Sequence, residues 1–157
     1  MRLLAAAGLA MLGLVVAPAP ALALTCMFRP FQAAGVRFES GELVAHVEVL
    51  DVRANRTMDA RVLRVLHGRE GRPIISIDAA GSLGWDMARQ WGFEPFARGS
   101  QWVMVLVPAR EGSSAWQLPV CRAYLTVESG VASGLVADVS RMERMRLDGL
   151  AARVAAL

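Results

Sequence analysis

A mainly β chain, closed into a small barrel or sandwich and ending in one α-helix, is what three features of this 157-residue sequence predict. The first is strict alternation. Leu43, Ala45, Val47 and Val49 point one way while Val44, His46, Glu48 and Leu50 point the other, which is the period-2 signature of a strand. The second is hairpin order: strand-like runs follow one another across short turns, with no β-α-β alternation. The third is a change of period near the end of the chain, where apolar residues recur at helical spacing.

The strands are read in order. Residues 42–66 form a long hairpin around the turn Arg53-Ala-Asn55-Arg56, with Met58 to Leu66 as its second arm. After the turn His67 to Gly71, the β-branched run Ile74 to Asp78 is a third strand. Residues 80–100 are irregular and hold Trp85, Trp91, Phe93 and Phe96. Trp102 to Val107 is a fourth strand whose apolar residues on both faces predict burial on both sides. Trp116 to Val120 returns as a fifth, and short strands follow at Tyr124–Val127 and Val131–Val136. Ser140-Arg-Met-Glu143 then matches a capping box, which predicts a helix from that point. Met142, Met145, Leu150, Val154 and Leu157 would form its stripe, packed on the barrel.

The N-terminus reads as an address. Arg2 precedes an uncharged apolar run, Leu3 to Ala17, then Pro18-Ala-Pro20 and the small residues of Ala21-Leu-Ala23. This predicts a signal peptide over 1–23, cleaved after Ala23, and a periplasmic or secreted location. The apolar run is shorter than the roughly 20 residues that span a bilayer, so no membrane span is expected after cleavage. The rival is lipidation at Cys26, disfavoured by the large Leu24 and by Thr25 just before it. The domains are therefore 1–23 as leader, 24–136 as β-domain and 137–157 as terminal helix.

Export makes the cysteines informative. Cys26 and Cys121 are the two in the chain, and in an oxidising compartment they allow one intramolecular bridge. It would close a loop of about 95 residues, worth roughly 4–5 kcal/mol in the chain-entropy model. A reactive thiol is the alternative, without a Cys-x-x-Cys spacing to support it.

Chemistry is sparse. His46 and Glu48 share a strand face and could hold part of a metal site, but further ligands are not evident and the alternation makes both solvated residues. Asp78 and Asp86 are the nearest thing to an acid–base pair. No nucleophile elbow, zinc-protease helix, phosphate loop or dinucleotide fingerprint occurs. No catalytic residue, metal or cofactor is expected. All seventeen basic residues are arginine, evenly scattered against fourteen acids, which argues against a nucleic-acid partner. Trp102 and Trp116 read as core or barrel-rim residues. Trp85 and Trp91, with Phe93, either pack a loop or form an aromatic patch for a partner.

In their order these pieces resemble the netrin-module and tissue-inhibitor-of-metalloproteinase-like group in its bacterial form. The resemblance runs from Cys26 to about Val136. It rests on the early Cys, the strand ending Ala60-Arg-Val-Leu-Arg-Val-Leu-His-Gly68, the run Phe96-Ala-Arg-Gly99-Ser-Gln-Trp102-Val-Met-Val-Leu106 and the closing Trp116-Gln-Leu-Pro-Val-Cys121. It implies a small antiparallel OB-like β-barrel. There are departures: Trp91-Gly92 stands where the group often has Cys-Gly, and position 28 is Phe where the animal inhibitors have a second Cys. The expectation is an exported, non-enzymatic binding module for an unknown protein or cell-envelope partner, with Trp85, Trp91, Phe93 and Cys26 as candidate contacts. The alternative is a metalloprotease inhibitor acting through the segment around Cys26.

Overall fold

The computed structural model describes residues 30–32, 37–80, 82, 96–110, 112–138 and 140–156. Eight strands and one helix follow one another in the order β1 (Leu43–Val52), β2 (Thr57–His67), β3 (Ile74–Asp78), β4 (Gln101–Pro108), β5 (Trp116–Gln117), β6 (Leu125–Glu128), β7 (Val131–Gly134), β8 (Glu143–Arg146) and α1 (Leu147–Ala155). Hydrogen-bonded neighbours run β1-β2-β3-β5-β4, and β4 pairs back with β1. The result is a closed five-stranded barrel of the OB type. Five strands cannot alternate in direction all the way round a ring, so one neighbouring pair must be parallel. That pair is β3 with β5, through Ile77 opposite Trp116 and Asp78 opposite Gln117.

β1 is the hub. One edge pairs with β2 and the other with β4, where Leu43 stands opposite Leu106 and Glu48 opposite Gln101. Its ladder to β2 skips Leu50 on β1 and Leu63 and Leu66 on β2, three irregularities of the bulge kind. Bulges bend and twist a strand, and here they let two long strands wrap a narrow barrel. The expected inner set, Leu43, Ala45, Val47 and Val49, does face inward. It meets Met58, Ala60, Ile75, Ile77, Met104 and Leu106, all essentially without solvent contact. Phe96, Trp102 and Tyr124 fill one region of this core, their ring centroids 4.8 to 5.4 Å apart. Phe96 takes up this position with φ at +61°, a costly conformation for a bulky residue.

A second core lies outside the barrel. Val44, Val103 and Val105, on the outer faces of β1 and β4, pack with Phe31, Phe38, Leu125, Val127, Ala132, Val136, Leu150 and Val154. The meander β6-β7-β8 and α1 supply its cover, as the two apolar faces of β4 predict. Burial reverses one expectation: His46 is 8% exposed, not solvated. Its Nε2 donates to Gln101 Oε1 at 3.0 Å. Glu48 stays nearer the surface, paired with Arg61 at 2.9 Å.

The chain near residue 31 is stapled to this core. The Phe31 and Gln32 N–H groups donate to Leu135 and Val136 carbonyls, each at 2.8 Å. Arg122 donates to Glu42 Oε1 at 2.6 Å and to the Phe31 carbonyl at 3.2 Å, with its guanidinium 5.2 Å from the Phe38 ring.

Two boundaries differ from expectation. The helix begins at Leu147, and Glu143–Arg146 is a strand paired with β7. The Glu143 carboxylate accepts from the Ala137 N–H at 3.1 Å, so it does not close a capping box on Ser140. Met142 is 68% exposed, outside any buried stripe. β5 stops at Gln117: the Leu118 N–H makes a last bond to the Asp78 carbonyl, and Pro119 has no N–H with which to extend the ladder.

Candidate functional site

The expected leader, Cys26, Trp85, Trp91, Phe93 and Asp86 lie outside the described residues. No cysteine among the described residues is free; half-buried Cys121 sits in the turn before Arg122. Among the described residues no group of His, Cys, Asp and Glu is placed to hold a metal. His46 and Glu48 each satisfy a neighbour in the fold, and burial lowers the His46 pKa, offset by the Gln101 bond and helped by nearby Arg64. No described helix is long and apolar enough to cross a membrane.

The outer face of β2 and β3, a common ligand face in OB barrels, is charge-balanced here. Arg53 pairs with Asp59, and Arg61 with Glu48. Leu63 and Ile74 are its exposed apolar residues, at 41% and 51%. It offers neither a cationic track nor aromatic rings.

Among the described residues an open groove of about 610 Å³ lies beside the connection from β2 to β3, lined by Val65, Gly68, Arg69, Glu70, Arg72 and Trp116. It begins at Gly68, whose φ is +82° and where an added Cβ would stand 2.5 Å from the Glu42 carbonyl oxygen. Only glycine meets both demands. Glu70 then turns back on its own loop: Oε1 accepts from the Arg72 backbone N–H and Nε, both at 2.9 Å. Its Oε2 accepts from Arg72 Nη2 at 2.5 Å and from the Trp116 indole N–H at 2.7 Å. Arg72 Nη1 reaches the Ser114 carbonyl at 2.5 Å. The β2–β3 connection, the β4–β5 connection and the start of β5 are thereby locked together. The Arg72 guanidinium, with the indole N–H adding to it, holds the Glu70 pKa down to about 2.

Such a carboxyl is ionised at any ordinary pH and fully engaged, so Glu70 is unsuited to proton transfer. What the arrangement does is fix a Trp face and arginines in place. The sequence leaves Trp116 as a core or barrel-rim residue, and its half-buried position puts it at the rim, against the edge of the inner core. In sequence, 67–71 reads as a plain turn, because the contact from Glu70 to Trp116 spans 46 residues and leaves no local signal.

Fold and groove together define an OB-type barrel carrying a second, external core and a rigid rim groove. No family model, curated protein or solved structure matches this chain.

Proposed function

We propose that the chain is an exported, non-enzymatic binding module with a netrin-module-like barrel, which recognises a protein or other cell-envelope partner from its surface. The observation that carries this reading is the locked Glu70–Arg72–Trp116 rim. Its components are held before any partner arrives, and Trp and Arg are the side chains most enriched at binding hot spots. The packed barrel interior supports an external site, and the charge-balanced face of β2 and β3 speaks against nucleic acid. Trp85, Trp91 and Phe93 remain candidate contacts on sequence grounds, and a Cys26–Cys121 bridge remains the proposed covalent tie.

The test is a photo-reactive side chain at Gly71, where an added Cβ meets nothing within 4 Å, with the exposed Arg144 of β8 as control. The protein is expressed with its full leader and irradiated in cells. The reading expects a cross-linked species of fixed mass from position 71 and none from position 144. Equal or absent cross-linking at both positions removes the groove from the account.

A second reading, metalloprotease inhibition around Cys26, is favoured by the staple at Phe31, Glu42 and Arg122. It requires a free α-amine on Cys26. N-terminal sequencing of the exported protein decides it, since a start at Leu24 places that amine in a peptide bond.

A further inference from the structure

We infer that the rim groove takes an extended acidic peptide segment, a carboxylate on Arg69 and an adjacent apolar side chain against Val65 and Trp116. This rests on the binding-module reading and names the chemistry of its partner. The charge inventory of the groove carries it. Glu70 is the one acid in the lining, and its two oxygens accept four hydrogen bonds from Arg72 and Trp116. Arg72 is spent in return, on Glu70 and on the Ser114 carbonyl. Arg69, exposed and also in the lining, has no acidic partner among the described residues. The groove therefore presents one unspent guanidinium beside an apolar wall. A guanidinium matches a carboxylate in a bidentate geometry, and the half-buried indole supplies contact area at low entropic cost.

The occupant is an extended strand and not a compact ligand because the groove is open and its lining includes the bare backbone of Gly71. At Gly71 an added Cβ would meet nothing within 4 Å, so the loop backbone is bare and open there, which allows a second backbone to approach closely.

The experiment uses the mature chain and a blocked, fluorescent nine-residue peptide alternating glutamate and leucine, followed by anisotropy. Its glutamine and lysine counterparts are run beside it. The glutamate peptide is expected to bind at least about tenfold more tightly than the glutamine peptide, and Arg69→Ala to lose about the same factor. Arg144→Ala, at an exposed arginine far along the sheet, is expected to bind as the parent does. Arg69→Lys is expected to keep part of the affinity, which separates charge from fold. Equal binding of glutamate and glutamine peptides, or equal losses from the Arg69 and Arg144 variants, overturns the inference. If the position-71 cross-link forms while no peptide discriminates by charge, this inference falls and the binding-module reading stands.

Discussion

Glu70 shows how much one side chain can be made to do by its neighbours. Its carboxylate is stabilised chiefly by Arg72, so its folded-state pKa of about 2 lies below the ordinary value of 4.5. A depressed carboxyl contributes stability above its unfolded pKa and loses it as pH falls through the folded one. Denaturant melts should therefore show a loss of stability between about pH 4.5 and pH 2 that Glu70→Gln flattens. Tyr124 works in the opposite direction and at the other end of the scale. Burial raises its hydroxyl to about 12 against an ordinary 10.0, with a bond to Ser82 opposing the shift. The unfolded chain ionises first as pH rises, so stability should fall between about pH 10 and 12. Tyr124→Phe should remove that slope, and a slope unchanged in the variant contradicts the buried placement.

At the scale of elements, the Arg122 staple joins the turn after β5 to the chain before β1. Arg122 and Glu42 have side chains only 15% and 7% exposed. Truncating one member of such a pair leaves an uncompensated buried charge, and Arg122→Ala should cost about 3–5 kcal/mol in urea unfolding. The double change Arg122→Met with Glu42→Gln should recover most of it. Strong local patterns made β1, β3 and β4 readable: Leu43 to Val49 alternate, Ile74, Ile75 and Ile77 are β-branched, and the run from Val103 to Leu106 is apolar on both faces. β8 was hidden because Ser140 and Glu143 have helix-start spacing, while the partner that decides the matter, the Ala137 N–H, depends on β7 turning back. His46 was misread for a related reason. Alternation tells which residues leave the barrel interior, and it cannot tell that a second layer covers the outside.

For the whole molecule, two cores share the walls formed by β1 and β4. Val44 and Val105 belong to one core while Ala45 and Leu106 belong to the other, so β1 and β4 are sandwiched as a central wall. Damage to either core should then unfold both together. Val105→Ala and Met58→Ala, one from each core, should lower the melting temperature of a single cooperative transition. Two separable transitions contradict a shared wall. The rim groove belongs to this scale as well: Gly68, Glu70, Arg72, Ser114 and Trp116 come from segments distant in sequence, and only barrel closure through the parallel β3–β5 contact brings them to one edge. Individual residue types there were visible beforehand, but their meeting was not.

The most direct test of the account is a backbone and indole amide NMR titration of the mature chain with the glutamate–leucine peptide. The account predicts shifts concentrated at the Trp116 indole, Arg69, Gly71 and Arg72, with β8 and the barrel interior unmoved. Shifts centred on β8 or on the outer face of β2 and β3, with the Trp116 indole unaffected, contradict it.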